Sequence, residues 1–249
     1  MPGRCCLIWC LFAATMLFTS PAATQNSLDI DLSENVVAIT TGFVGSSLLL
    51  FGAAEGQGDI VVVVRGPLVN TVVRRKERFA GVWANRSGMV FQDIPEFYAI
   101  ASNRPMDEFL SKETRQAYQL GNDYLELNPA DALVSGQVTA DFRAALIRNK
   151  QHQGLYQTQP GNVQFIGSHL FRTRIQFPAN VSVGTYGVDV YLFRDNRPTG
   201  VRTTLINVRK FGAEASIYDF AHRHSLAYGV LAVFIAMVAG WLANFVFRR

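Results

Sequence analysis

The sequence predicts a mainly β protein: an immunoglobulin-like β-sandwich with a central helical insertion, followed by one C-terminal transmembrane helix. Short β-branched segments separated by turn residues lie near both ends of the body, a pattern typical of sandwiches built from many short strands. Between these segments the hydrophobic period changes to that of helices. Near the C-terminus, a long apolar segment carries no charged residue. These observations place the helical insertion between two groups of strands and the transmembrane helix after them.

Residues 1–23 are predicted to be a signal peptide that is cleaved from the mature chain. Arg4 precedes an apolar run over residues 7–18, and small residues suited to signal peptidase follow at 20–23. The run of about a dozen residues is too short to cross a hydrocarbon core of about 30 Å at about 1.5 Å per residue. An uncleaved N-terminal anchor is the alternative that this segment leaves open.

Cysteine usage and charge exclude several classes of function. The 3 cysteines are Cys5, Cys6 and Cys10, so cleavage would leave no disulfide, thiolate nucleophile or thiolate metal ligand. Of the 23 basic residues, three lie in the signal peptide or the terminal arginine pair, against 19 acidic residues in all. The exterior part therefore carries a net charge of about +1, which gives no reason to expect a nucleic-acid partner.

Residues 24–211 are predicted to form the periplasmic domain. Leu28, Ile30 and Leu32 alternate with polar residues, whereas the four consecutive valines within residues 59–65 suit a strand buried on both faces. Gly184-Thr185-Tyr186 is similar to the tyrosine corner of immunoglobulin-like sandwiches. Two separate small sandwiches are the alternative. The predicted strands are residues 28–33, 36–41, 46–53, 59–65, 170–177, 186–193 and 201–209, with a corner predicted at 195–200.

The helical insertion is predicted over about residues 105–151. Pro105 in a first turn and Gly121 at a stop delimit one predicted helix. Residues 139–151 form the second predicted helix, with Phe142, Ala145, Leu146 and Asn149 on one side.

Residues 226–247 are predicted to span a membrane, because they contain no Asp, Glu, Lys, Arg or His and are long enough at about 1.5 Å per residue. Tyr228 and Trp241 lie towards the two ends, where aromatic rings prefer the interface. Residues 248–249 are a predicted cytoplasmic tail. The predicted protein is therefore a single-pass protein of the bacterial inner membrane, with the N-terminal domain periplasmic and the C-terminus cytoplasmic.

A stripe of small residues follows this segment: Ala232, Ala236, Gly240 and Asn244 recur every fourth residue. Small residues let helix backbones approach closely, and an asparagine can hydrogen-bond across the contact. The stripe is therefore a candidate helix-packing face, with ordinary alanine content as the alternative. Residues 212–225 are predicted to form a juxtamembrane helix without a flexible linker.

The densest charge cluster gives a candidate basic surface, formed by Arg74, Lys76 and Arg78. On a strand these three side chains share one face, while Arg75 and Glu77 point to the other. Three cations on one face could hold an anionic group or lie against anionic lipid. The alternative is a solvated edge, since Lys and Arg on edge strands discourage aggregation.

No catalytic, cofactor or metal site is predicted. The sequence contains no nucleophile elbow, dinucleotide-binding fingerprint or Walker-type loop. The histidines are His152, His169, His222 and His224, and positions i and i+2 on a helix point to different faces. We therefore expect a non-enzymatic binding or accessory protein, with another membrane or periplasmic protein as its partner. A periplasmic hydrolase with a triad not visible in the sequence, or a purely structural envelope protein, are the alternatives.

Several collinear segments resemble an uncharacterised family of alphaproteobacterial transmembrane proteins (Alph_Pro_TM). The resemblance implies an inner-membrane protein with a periplasmic domain, brings no established activity, and implies an association with sulfite-exporter-type permeases that would suit an accessory subunit of a transporter. The segments are TTGFVGSSLLLFGA from Thr40, VVRRKERFAGVWAN from Val72, FYAIASNRP from Phe97, ALIRNKQHQGLYQ from Ala145, LFRTRIQFPANVSVGTY from Leu170 and YGVLAVFIAMVAGW from Tyr228.

Overall fold

A computed structural model describes residues 28–79, 81–130, 136–212 and 220–247. The predicted signal peptide, the tail at 248–249 and residues 213–219, half of the predicted juxtamembrane helix, lie outside these residues. The described residues are mainly β, with 48% of them in strands and 26% helical. Its strands are β1 (Leu28–Leu32), β2 (Val36–Ile39), β3 (Gly45–Ala54), β4 (Asp59–Arg65), β5 (Leu68–Phe79), β6 (Val82–Pro95), β7 (Tyr98–Ser102), β8 (Asn128–Pro129), β9 (Gly161–Asn162), β10 (Gln164–Ile166), β11 (Leu170–Pro178), β12 (Gly184–Arg194) and β13 (Arg197–Lys210).

A six-stranded sheet in the order β2-β13-β12-β4-β7-β9 forms the centre of the body. Strand β4 lies between β12 and β7, and Ile60 to Val64 are all buried. The prediction that the valine run is covered on both faces is therefore confirmed, because a continuous β-branched strand has no side to present to water.

A four-stranded sheet in the order β1-β3-β11-β10 packs against one face of the central sheet. Every second residue of β11 is buried, and the ring of Phe177 lies 5.6 Å from that of Tyr186 on β12. Strands from the two ends of the body pair with each other in both sheets, as β3 does with β11 and β4 with β12. The two ends therefore share one hydrophobic core.

Tyr186, at the position similar to a tyrosine corner, bonds back to the preceding turn. The hydroxyl of Tyr186 donates a hydrogen bond to the carbonyl of Ser182 at 2.7 Å, which is the bond back to the preceding turn that characterises this corner. The second predicted corner is shorter than expected, because β13 already begins at Arg197. Only Asp195 and Asn196, with φ of 47° and 63°, form the loop, as in a type I′ hairpin.

The helical insertion covers the other face of the central sheet. The ring of Tyr118 contacts those of Tyr191 and Phe193 at 5.5 and 6.0 Å. The single helix expected between Pro105 and Gly121 is wrong in extent: a 3-10 turn at Met106–Glu108 is followed by the short helix α1 (Lys112–Ala117) and a 3-10 turn at Asn122–Tyr124. Helix α1 begins anew because Ser111 caps it, its hydroxyl accepting from Thr114 N.

The second predicted helix is confirmed as α2 (Gly136–His152), which begins three residues earlier than expected. It packs on β5, one strand of a three-stranded sheet in the order β5-β6-β8. The buried residues of α2 are Phe142, Leu146 and Lys150, spaced four apart along one face. The last element is α3 (Ser225–Phe247), the helix predicted to span the membrane.

Candidate functional site

The candidate basic surface lies on a long β-hairpin formed by β5 and β6. Phe79 pairs with Val82, so a two-residue loop joins the strands, and Gly81 has a φ of 86° that suits a tight hairpin loop. The hairpin leaves the central sheet at Gly66-Pro67, and Glu96 N donates to the carbonyl of Pro67 to close its base.

The inner face of the hairpin is packed against α2. Val73 and Met89 are buried there. The guanidinium of Arg75 lies 5.1 Å from the centre of the Phe142 ring, and its Nη2 is 3.2 Å from Oδ2 of Asp141. On the same face, the hydroxyl of Ser87 donates to Glu77 at 2.9 Å. The side chains of Arg75 and Glu77 are thus engaged on the inner face.

The outer face of the hairpin carries Arg74, Lys76 and Arg78, all exposed. Arg78 pairs with Trp83 across the strands, which puts the two side chains on the same face. Trp83 is 67% exposed although it is a large aromatic residue. We name the surface formed by Arg74, Lys76, Arg78 and Trp83 the cationic face. Within the described part of the chain, no hydrogen bond or ion pair engages its three cations.

Trp83 is the member of this surface that the sequence analysis missed. The signal was present: where Phe79 pairs with Val82, Trp83 lies opposite Arg78. Recognising it requires the register of the hairpin, which is set by the length of the loop, because a one-residue change there would move Trp83 to the other face. Without that register, the tryptophan could be assigned to either face.

The base of the hairpin contains a buried lysine. Lys150 of α2 is 8% exposed, and its Nζ donates to the carbonyl of Glu96 at 3.4 Å. Burial lowers the pKa of Lys150 below its ordinary value, and the charge of Glu96 opposes this shift. The lysine therefore connects the end of α2 to the point where the hairpin returns to the central sheet.

Clefts also lie elsewhere on the body. One of about 600 Å³ contains Arg104, which makes two 2.7 Å hydrogen bonds to the carboxylate of Asp59. Partial burial raises the pKa of Asp59, but hydrogen bonds from Arg104 and Asn103 outweigh it and hold the pKa below its ordinary value. Another, of about 570 Å³, is lined by Arg172 and Arg174 among amide side chains.

The histidines do not come together. His152 and His169 are exposed on separate elements, and within the described residues neither side chain makes a hydrogen bond. The ring of His224 lies 5.7 Å from that of Phe220, just before α3. In the part of the chain that the structure describes, no cluster of three or more His, Cys, Asp or Glu could hold a metal ion.

Helix α3 carries the predicted packing stripe. Its segment Ser225–Asn244 is long and apolar enough to cross a membrane, and none of it is buried by the body. Ala232, Ala236, Gly240 and Asn244 all lie on this continuous helix and are exposed, and a Cβ added at Gly240 would meet no atom within 4 Å. Their role in packing stays a prediction.

Within the described residues, the β body is followed by one apolar helix that the body does not cover, which supports a single-pass membrane protein. A comparison with protein families agrees: the family described as "Putative transmembrane protein (Alph_Pro_TM)" matches residues 27–249. The chain belongs to this family. No curated protein and no solved structure matches it.

Proposed function

We propose that this chain is a non-catalytic binding or accessory protein of the bacterial inner membrane, with its β body in the periplasm and its C-terminus in the cytoplasm. The observation that carries the proposal is that α3 is exposed along its whole span, so it is free to contact another membrane helix. The partner we propose is another membrane or periplasmic protein, such as a transporter.

The body supports a binding role through its paired sheets and shared hydrophobic core. We propose that the four-stranded and six-stranded sheets form an immunoglobulin-like sandwich, supported by the Tyr186–Ser182 hydrogen bond and the contact between Phe177 and Tyr186. Such sandwiches present loops and hairpins from a fixed scaffold. The exposed positions of His152 and His169 offer nothing that favours the hydrolase alternative.

The test is affinity capture of the tagged full-length chain from detergent-solubilised membranes, with quantitative mass spectrometry of what copurifies. Gly240→Leu keeps the helix apolar but places a bulky side chain on the stripe, where a partner backbone would approach. We expect association to weaken by about 1–2 kcal/mol, the scale of interhelical polar contacts, which is up to a roughly tenfold or somewhat larger loss.

The matched control is Ile235→Leu, which lies off the stripe on the same helix and should leave the yield unchanged. If both variants copurify identical partners in identical yield, α3 is only a tether and the stripe has no assembling role. If the chain captures only copies of itself, the structural envelope alternative replaces the accessory role.

A further inference from the structure

The hairpin and the membrane helix leave the body at the same end of the central sheet. Pro67, at the base of the hairpin, lies against Gly184, where an added Cβ would be 3.0 Å from the proline ring. Gly184 pairs with Val208 near the end of β13, the strand that leads to α3. Arg209 and Lys210 follow there and are exposed. The hairpin base is therefore at the membrane-proximal end of β13.

The lengths allow the hairpin to reach the bilayer. Strand β5 has 12 residues, and at about 3.3 Å per residue the hairpin is about 40 Å long. The 14 residues 211–224 separate β13 from α3, and even fully extended they span no more than about 50 Å. A hairpin of this length can touch the surface that α3 enters without any unfolding of the body.

The cationic face has the chemistry of a membrane-binding surface. Its three cations alternate along one side of β5, and the only acidic residue in the stretch 72–90, Glu77, is engaged on the inner face. Trp83 is an aromatic residue of the kind that prefers the membrane–water interface. Val72 and Val90, which pair across the strands on the same side, are 52% and 38% exposed.

From these observations we propose that the cationic face binds the anionic phospholipid headgroups of the bilayer that holds α3, with Trp83 inserted at the interface. Positive side chains next to an anionic bilayer surface are attracted to it, and the three cations are exposed on one side of β5. The proposal uses only the anchoring by α3, so it holds whether or not the chain also has a protein partner.

The test uses the full-length chain in lipid nanodiscs with Trp83 as the reporter. The chain has 3 tryptophans, so Trp9→Phe and Trp241→Phe leave Trp83 alone. Discs of phosphatidylcholine are compared with discs that also contain roughly 30 mol % phosphatidylglycerol, an anionic lipid. Only in the anionic discs should the Trp83 emission shift to shorter wavelength and be quenched by brominated acyl chains.

Charge variants identify the groups responsible. The triple variant Arg74→Gln, Lys76→Gln, Arg78→Gln should lower the docking equilibrium constant roughly 100-fold. Each cation near an anionic surface raises that constant by a factor of about five, and three such factors multiply to roughly 100. The matched control, Arg172→Gln, Arg174→Gln, Arg202→Gln, removes three exposed cations from β11 and β13 and should keep the shift. Raising the salt concentration should reverse the shift in the single-tryptophan protein with its cationic face intact, a measurement that needs no charge variant.

Emission that is identical in both kinds of disc and insensitive to salt would overturn the proposal. An emission shift of Trp83 that occurs in native membrane vesicles but not in anionic discs would also overturn it, because the cationic face would then bind a membrane protein and not lipid. Neither result bears on the capture experiment with Gly240→Leu, so the two proposals fail independently.

Discussion

The hydroxyl of Tyr98 accepts a hydrogen bond from the backbone N–H of Gly121 at 2.8 Å. The same hydroxyl donates to the carbonyl of Gln119 at 2.7 Å. Tyr98 begins β7 in the central sheet, whereas Gln119 and Gly121 belong to the insertion, where both have positive φ. One buried side chain thus holds a turn of unusual backbone conformation against the sheet.

Replacing Tyr98 with phenylalanine should lower the free energy of unfolding by about 1–3 kcal/mol, because two backbone groups lose their buried partner. The measurement is denaturant unfolding of the detergent-solubilised full chain, followed by circular dichroism. Tyr118→Phe is the control, since the Tyr118 hydroxyl makes no hydrogen bond within the described residues while its ring contacts would remain. Equal midpoints for the two variants would show that the Tyr98 bridge contributes nothing.

Buried tyrosines should make the body sensitive to alkaline pH. Burial raises the pKa of Tyr98 to about 12 from 10.0, although the hydrogen bond from Gly121 acts the other way. Burial also raises the pKa of Tyr156. Because the unfolded chain ionises first, this contribution to stability is complete below pH 10.0 and is lost as pH rises towards about 12.

For Tyr98 alone the loss is on the order of 3 kcal/mol once both states are ionised. Unfolding midpoints measured in steps of pH should fall above about pH 10, and they should fall less steeply in Tyr98→Phe than in the wild type. Parallel pH profiles for the two proteins would contradict this assignment.

Close packing in the four-stranded sheet should make Gly52 irreplaceable. A Cβ at this position would lie 2.4 Å from the carbonyl oxygen of Asp29 and 2.6 Å from Cζ of Phe171. We expect Gly52→Ala to destabilise the body by about 1–3 kcal/mol or more, because neighbouring strands must move apart.

The comparison is Gly187→Ala on β12, where an added Cβ meets nothing within 4 Å. That substitution should be neutral or stabilising by up to about 1 kcal/mol, since it restricts the unfolded chain. Thermal unfolding of both variants in the same detergent is sufficient, and equal effects of the two substitutions would contradict the packing described for β1, β3 and β11.

The buried Lys150 gives the opposite pH dependence. Burial lowers the pKa of Lys150 in the folded protein below 10.5. The free-energy cost of burying the charged lysine is therefore complete where the lysine is charged in both the folded and the unfolded state. That cost is relieved as pH rises from the folded pKa towards 10.5. Lys150→Met should therefore stabilise the protein at neutral pH, and this gain should shrink as pH approaches 10.5. If the stabilisation by Lys150→Met does not change with pH, its cause is packing and not the removal of a buried charge.

The strands were predictable where local pattern decides the outcome. The alternation of Leu28, Ile30 and Leu32 and the valine run of β4 both specify burial through their side chains alone. The insertion was less predictable, because residues 105–121 contain helical periodicity but Ser111 offers a competing cap that breaks it into short turns. Those turns are held by tertiary contacts such as the one between Tyr98 and Gly121, which no local pattern encodes.

The candidate site was also predictable only where local pattern decides which face a side chain occupies. Strand alternation was sufficient to group Arg74, Lys76 and Arg78 on one face. Trp83 joins them only through the register across the hairpin, which depends on the length of the loop and not on the alternation within β5. The ion pair between Arg75 and Asp141 depends on how α2 packs against the hairpin, and local sequence does not determine that tertiary packing.

The central claim, a β body outside the cytoplasm anchored by one C-terminal span, is tested most directly by cysteine labelling in spheroplasts. In a background with Cys5, Cys6 and Cys10 replaced by alanine, one variant carries Val44→Cys, at a position that is 88% exposed, and another carries a cysteine added after Arg249. A membrane-impermeant maleimide should label Val44→Cys in intact spheroplasts and the C-terminal cysteine only after permeabilisation. Labelling of the C-terminal cysteine alone in intact spheroplasts would contradict the account.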